Sequence, residues 1–229
     1  MVKGLIFDYG GTLDTGGTHW GKVLWHAYER CGVPVSEGMF REAYVYAERT
    51  LATRRIITPE FTFRDTLDRK IGLEMDFIRE NHGLENVEEF HAKVVDSAYG
   101  VAQQCTEKAA GVLRRLGERY PMVLVSNFYG NIEKVLQEFA LDGIFGSVVE
   151  SAVVGIRKPD PRIFSLGVER LGLKPEETMV VGDSYDKDIV PAHSIGCRTA
   201  WIKGEGWTDE TVENPVADRI IESLDELPE

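Results

Sequence analysis

A short apolar run, Gly4-Leu5-Ile6-Phe7, stops at Asp8 and gives way to the glycine-rich turn Gly10-Gly11-Thr12. An uninterrupted apolar run bounded by a turn is the pattern of a strand buried on both faces, as in a parallel sheet. From about Thr18 to Tyr99 the pattern changes to helical spacing. Apolar residues recur at Trp20, Val23, Leu24, Ala27, Tyr28 and Cys31, then at Phe40, Ala43, Tyr44, Ala47 and Leu51, then at Val87, Phe90, Val94, Val95 and Ala98. Gly32 follows the first of these runs, where a helix stop is expected. The stretch reads as an all-helical insertion whose aromatics serve mainly as packing.

Beyond Cys105 helices and strands alternate. Ala109, Val112, Leu113 and Leu116 predict a helix, Met122 to Val125 a strand, Ile132, Val135, Leu136 and Phe139 a helix, and Val148-Val149 a short strand. Asp160-Pro161 predicts a helix start, since Asp accepts from free amides and Pro tolerates the first helical position. That helix carries Ile163, Phe164, Val168 and Leu171 on one side and ends at Gly172; Met179 to Val181, Thr199 to Ile202 and Arg219 to Ile221 supply the remaining strands. Strands alternating with helices of this length predict an α/β fold built on a doubly wound parallel sheet. The division that follows is a sheet-bearing core formed by 1–16 and 100–229, with a helical domain inserted over 17–99.

Composition agrees with this division. At 229 residues, 43% hydrophobic and 28% charged, the chain can bury one main core and a smaller inserted one. Its 26 basic and 38 acidic residues leave a net charge of -12 with no basic patch, so no nucleic-acid partner is expected. No apolar stretch approaches bilayer length, and Asp8 interrupts the first run too early for a signal peptide; the expectation is a cytoplasmic protein without a membrane partner. Cys31, Cys105 and Cys197 are far apart with no C-x-x-C spacing and read as isolated thiols. Oligomeric state has no signature in the sequence.

Ligands of a doubly wound sheet bind at the carboxyl ends of its strands. The loops there carry Asp8-Tyr9-Gly10-Gly11-Thr12-Leu13-Asp14, Ser126-Asn127, Arg157-Lys158-Pro159-Asp160, and Gly182-Asp183-Ser184-Tyr185-Asp186-Lys187-Asp188. They offer carboxylates for a cation, hydroxyls and an ammonium for an oxyanion, and glycines that let backbone amides come close: the needs of a phosphate with Mg²⁺. Asp8 with Asp183 suits a hard cation, Lys158 a point charge against phosphoryl oxygens and Asp8, and the hydroxyls of Thr12 and Ser126 suit hydrogen-bond donors. Each motif alone has an ordinary structural explanation; their conjunction in this order points to chemistry.

Phe-Asp-x-x-Gly-Thr-Leu at 7–13, Val-Ser-Asn at 125–127, Arg-Lys-Pro-Asp-Pro at 157–161 and Val-Gly-Asp-Ser-x-x-x-Asp-Ile at 181–189 resemble motifs I to IV of the haloacid dehalogenase-like (HAD) hydrolase superfamily. The resemblance spans the chain, and the helical insertion is similar to the cap of the family's subclass I. It implies a Rossmann-like core under a cap that closes over the site and selects the substrate. It also implies Asp8 as nucleophile, Gly11, Thr12, Ser126, Asn127 and Lys158 around the phosphoryl group, and Mg²⁺ held by Asp8, the Gly10 carbonyl, Asp183 and Asp188. Lys158 counts among the catalytic groups with Asp8. The implied activity is hydrolysis of a small phosphorylated metabolite through an aspartyl phosphate.

One position departs from the pattern. Phosphatases of the family carry a second Asp two residues after the nucleophile, to protonate the leaving oxygen and then activate water; here it is Gly10. A positioned acid or base is worth about 10² to 10⁴ in rate, so the resemblance implies a formed metal site with impaired proton transfer. Asp14, His19 or a cap residue could substitute, although His19 reads more simply as a hinge or surface histidine. The alternatives are a non-catalytic phosphate- and metal-binding protein, or a phosphonate or haloacid hydrolase of the same family. Asp183 and Asp188 are of the metal-binding kind, which counts against dehalogenation, and phosphonate cleavage needs a desolvated cap lysine, for which Lys22, Lys70 and Lys93 are available. Trp20, Trp25, His26, Tyr44, Arg54 and Arg55 are the candidate substrate contacts in the cap.

Overall fold

The first apolar run forms β1 (Gly4–Phe7), all of it buried, in a computed structural model that describes residues 1–208 and 211–227. It pairs in parallel with β2 (Met122–Ser126) on one side and β4 (Thr178–Gly182) on the other; β3 (Ser147–Glu150) flanks β2, while β5 (Arg198–Ile202) and β6 (Arg219–Ile221) continue beyond β4. The six-stranded order β3-β2-β1-β4-β5-β6 reverses direction between β1 and β4, the switch point at which such sheets open a crevice. Phe7 lies beside Leu124 on β2 and Val181 on β4, so Asp8, Ser126 and Asp183 emerge along one carboxyl edge.

Burial on both faces explains why β1, β2 and β4 are apolar almost throughout. Ile6, Val123, Val125 and Val180 face one core with Ile163, Phe164 and Val168, whereas Leu5, Phe7, Leu124 and Val181 face the other with Leu113 and Leu116. The inserted helices are α1 (Trp20–Cys31), α2 (Glu37–Thr53) and α3 (Phe63–His82), followed by α4 (His91–Gly117). The smaller helices are α5 (Ile132–Glu138), α6 (Ser151–Val154), α7 (Arg162–Leu171) and α8 (Val190–Ser194). Gly32 closes α1 at φ +70°, a left-handed conformation that its missing Cβ permits. Helix α7 begins after Pro161, with Asp160 Oδ1 accepting from the Arg162 amide at 3.0 Å.

Helix α4 is a single element of 27 residues, preceded by a 3-10 turn at Val87–Phe90, in which the apolar positions at 94–98 and 109–116 merge, so residues 99 and 100 lie mid-helix. Its middle is buried through Ala98, Ala102, Thr106, Ala109 and Ala110, side chains too small to give a strong periodic signal. Helix α3 buries Phe63, Leu67, Ile71, Met75 and Ile78, but Lys70 and Glu74 lie buried on the same stripe and interrupt its pattern. Among the described residues no helix is long and apolar enough to cross a membrane.

Candidate active site

The carboxyl edge of β1 and β4 gathers three carboxylates around one ammonium. Lys158 Nζ donates to Asp8 Oδ1 and to Asp188 Oδ1, each at 2.6 Å, and all three side chains are almost fully buried. Oxygens of Asp8, Asp183 and Asp188 lie within 4.8 Å of one another. The Thr12 hydroxyl accepts from the Asp183 amide at 3.0 Å and lies 2.9 Å from Asp183 Oδ1 and 3.3 Å from Asp8 Oδ2, which ties the end of β1 to that of β4. The Ser184 amide donates to Asp188 Oδ2 at 3.0 Å, while the Asn127 side chain pairs with the backbone of Lys158 on both sides, at 2.9 and 3.1 Å. Gly11 is required where it stands: at φ +99° a Cβ would strike the Asp183 carboxylate.

Three acids around one base leave an excess of buried negative charge. Burial, then Asp188 and Asp8, push the Asp183 carboxyl well above its ordinary range. Burial likewise raises Asp188 to about 6, although Lys158 pulls against it. Burial opposes the Lys158 ammonium, but Asp188 and Asp8 outweigh it and the net shift is upward. This all-oxygen donor set and its surplus charge fit a hard divalent cation. A second sign of a missing partner is Ser126 Oγ, a buried hydroxyl on the cavity wall with no hydrogen-bond partner.

Above these groups lies a cavity of ≈180 Å³, walled on the core side by Gly10, Ser126 and Lys158 and on the inserted side by Trp20, Tyr44 and Phe63. A Cβ at Gly10 would meet nothing within 4 Å, so the position two after Asp8 faces free space. Asp14 also lines the cavity, fully buried, its Oδ1 accepting from the Gly11 amide at 2.7 Å and its Oδ2 from Trp20 Nε1 at 2.9 Å. Burial pushes its carboxyl up to about 7. His19 caps α1 through Nδ1, which accepts from the Gly21 amide at 3.0 Å; burial first, then Lys187, lowers its imidazole to about 4 and keeps it neutral.

The family profile described as haloacid dehalogenase-like hydrolase matches residues 2–196. The chain belongs to the haloacid dehalogenase-like hydrolases. This hydrolase is 35% identical over 105 residues to haloacid dehalogenase-like hydrolase domain-containing protein 3 of Danio rerio, a match covering 46% of this chain and 43% of the relative. It is 36% identical over 98 residues to the glyceraldehyde 3-phosphate phosphatase of Pyrococcus furiosus, covering 42% of this chain and 40% of that protein. The matches thus span less than half the length of these curated relatives. In fold, it superposes on a solved dehalogenase with an intermediate complex at a TM-score of 0.67, with 20% identity, over 99% of this chain and 95% of that one.

Of the residues the sequence singles out, the hydrolase brings Asp8, Gly10, Gly11, Ser126, Asn127, Lys158, Asp183 and Asp188 to the cavity wall. Thr12 is fully buried behind it, and the Gly11 amide is engaged by Asp14. Trp20 and Tyr44 reach the cavity from the helical side, but Trp25 packs on Phe40, His26 pairs with Glu29 and Glu205, and Arg54 and Arg55 are exposed. His19 is not a surface residue: its place as the α1 cap sets it half-buried in the cavity wall, edge-on to Tyr44 and tilted against Trp207. Sequence reasoning missed Glu48 and Tyr129 on the cavity wall, and of the cap lysines it offered, Lys70 is the one that lines the cavity. Tyr129 could have been found as a neighbour of Ser126-Asn127.

Proposed function

We propose that this hydrolase is a Mg²⁺-dependent phosphatase of a small phosphorylated metabolite, acting through a phosphoryl group carried on Asp8. The observation that carries the reading is the unpartnered buried hydroxyl of Ser126 on the wall that also holds the Asp8–Lys158 pair: a free hydroxyl donor on the same wall as an ammonium, the two kinds of donor a phosphoryl group takes. The phosphatase names among the relatives agree with it. Asp8, Asp183, Asp188 and the Gly10 carbonyl would hold Mg²⁺, which supplies charge neutralisation of the phosphoryl oxygens.

An Asp8 oxygen attacks phosphorus in line and the bond from phosphorus to the leaving oxygen breaks. Lys158 orients Asp8 through their 2.6 Å contact and offers its charge to the phosphoryl group, while Ser126 donates a hydrogen bond. Thr12 works from behind, fixing Asp183 against Asp8. Water then attacks the aspartyl phosphate and releases Asp8. Gly10 cannot protonate the leaving oxygen, and the cavity-lining ammonium of Lys158 is held charged while His19 is held neutral. Asp14, raised to about 7, is the cavity-lining carboxyl suited to carry a proton near neutrality, or else the leaving group departs as a stable anion, as from an acyl phosphate. Lys70, the cap lysine on the cavity wall, is paired with Glu48, and the shift of its ammonium is strongly upward, so it does not offer the free amine that phosphonate cleavage needs.

The test is phosphate release with Mg²⁺ from phosphomonoesters and acyl phosphates by the native protein, Asp8→Asn and Gly10→Asp. The reading expects no turnover from Asp8→Asn, and a gain of about 10² to 10⁴ on poor leaving groups from Gly10→Asp, whose new side chain enters free space. Turnover retained by Asp8→Asn would overturn the mechanism. A silent native protein beside an active Gly10→Asp variant would favour phosphate and metal binding without catalysis.

A further inference from the structure

The helical side of the cavity carries an ion pair that the proposed chemistry does not use. Lys70 on α3 pairs with Glu48 Oε1 on α2, and its ammonium also lies 4.4 Å from the centre of the Tyr44 ring. The Lys70 side chain is 7% exposed, whereas that of Glu48 remains 33% exposed, and both residues line the cavity. From the core side, the Tyr129 hydroxyl stands 3.4 Å from both oxygens of Glu48. Tyr129 is three residues beyond Ser126, so the Glu48 carboxylate hangs over the loop that carries the unpartnered hydroxyl.

A carboxylate has about four acceptor sites. Here one is taken by Lys70 and the Tyr129 contact is long, which leaves acceptor capacity open to the cavity. A pair whose task was only to join α2 to α3 would not need an exposed oxygen beside the phosphoryl loop. The surroundings also decide which donor it can take. Lys70 and Lys187 both act on the Glu48 carboxylate, so beside it two cations face one anion and an incoming ammonium would be repelled, whereas the cavity's four aspartates sit on the loops after β1 and β4. A neutral hydroxyl meets no such penalty.

Resting on the phosphatase reading, we propose that Glu48, held in place by Lys70 and Tyr129, is a specificity-determining residue that accepts a hydrogen bond from a hydroxyl group remote from phosphorus. The site would thereby favour hydroxylated phosphomonoesters over amino-bearing ones. A hydrogen bond to a charged acceptor changes affinity by about tenfold to a hundredfold.

The experiment measures binding, so it does not depend on turnover. Calorimetry of the native protein with Mg²⁺ compares methylphosphonate, 2,3-dihydroxypropylphosphonate and 2-aminoethylphosphonate. The dihydroxy compound should bind about tenfold or more tightly than methylphosphonate, and the amino compound no better than methylphosphonate. Glu48→Gln should reduce the dihydroxy preference. Because that variant leaves Lys70 buried without its partner, the double variant Glu48→Met/Lys70→Met serves beside it: the preference should vanish while methylphosphonate binding is kept. Equal binding of all three compounds by native protein, no binding of any, or a preference that survives in the double variant overturns the proposal. Selective binding of the dihydroxy compound with no ester hydrolysed by native protein or Gly10→Asp leaves the Glu48 assignment standing and fails the phosphatase reading alone.

Discussion

Lys158 Nζ lies 2.6 Å from Asp8 Oδ1, a buried contact between the third motif and the end of β1, and the same ammonium reaches Asp188 at an equal distance. One cation therefore balances a cluster of three carboxylates. Removing one partner of a buried pair costs about 3 to 5 kcal/mol, because the remaining charge is left uncompensated. Lys158→Met should accordingly destabilise the metal-free protein by that order at neutral pH, with part of the loss recovered on adding Mg²⁺. Urea unfolding with and without Mg²⁺ measures both terms. A variant as stable as the native protein would show that the carboxylates do not share this charge.

In the proposed phosphatase the same cluster would give Mg²⁺ binding a pH dependence. Burial raises Asp183 well above the usual carboxylate range and Asp188 to about 6, so each holds its proton at a pH where an ordinary carboxylate has lost it. A ligating carboxylate must give up that proton, and protons therefore compete with the cation. The rise in Tm on adding Mg²⁺ should be small at pH 5 and should grow through pH 6 to 8. Equal increments at all of these pH values would exclude the two acids as ligands.

Much of this arrangement is legible in the sequence. Asp8, Ser126 and Asp183 follow apolar runs that could only be buried strands, and a parallel sheet brings the ends of such strands to one edge. The helical side was less legible. Glu48 is one polar residue among several on α2, and its meeting with Tyr129 across 81 positions depends on how α2 lies against the sheet, which periodicity does not encode. Lys70 and Glu74 disguised the apolar stripe of α3 by standing on it. Thr12 matched its motif, but its hydroxyl's 2.9 Å contact with the facing Asp183 carboxylate had no signal in the sequence.

Glu74 is the other unusual acid. It is fully buried, accepts from the Tyr28 hydroxyl at 3.0 Å on one oxygen, and has no partner on the other. Burial pushes its carboxyl up to about 7, so between the ordinary carboxylate range and about 7 the folded chain binds a proton that the unfolded chain has released. That stabilisation is complete at low pH and is lost as pH rises through about 7, with a total of about 3 to 4 kcal/mol. Glu74→Gln, which cannot ionise, should flatten the fall in stability between pH 5 and 8. Unfolding free energies across that range decide the matter, and an unchanged slope sends the assignment elsewhere.

The loop after β5 grips the inserted helices through one aromatic residue. The Trp207 ring centre lies 4.9 Å from that of Tyr44 on α2 and 5.2 Å from that of His19 at the start of α1, while the Arg41 guanidinium covers the indole at 4.2 Å and donates to its backbone carbonyl at 2.9 Å. An aromatic pair and a cation over a ring are each worth about 0.5 to 1.5 kcal/mol. Trp207→Ala should therefore loosen α1 and α2 by about 1.5 to 4.5 kcal/mol, summing those three contacts, and leave β1 and β4 as protected as before. Gly21→Ala provides a second route, since its Cβ would strike the Trp207 ring and displace it without deleting it. Amide hydrogen exchange resolved by segment distinguishes a local grip from general stability: faster exchange confined to α1 and α2 in both variants is the expected result. Uniform acceleration across the sheet would mean that Trp207 stabilises the whole chain and that the grip on these helices is not a separate unit.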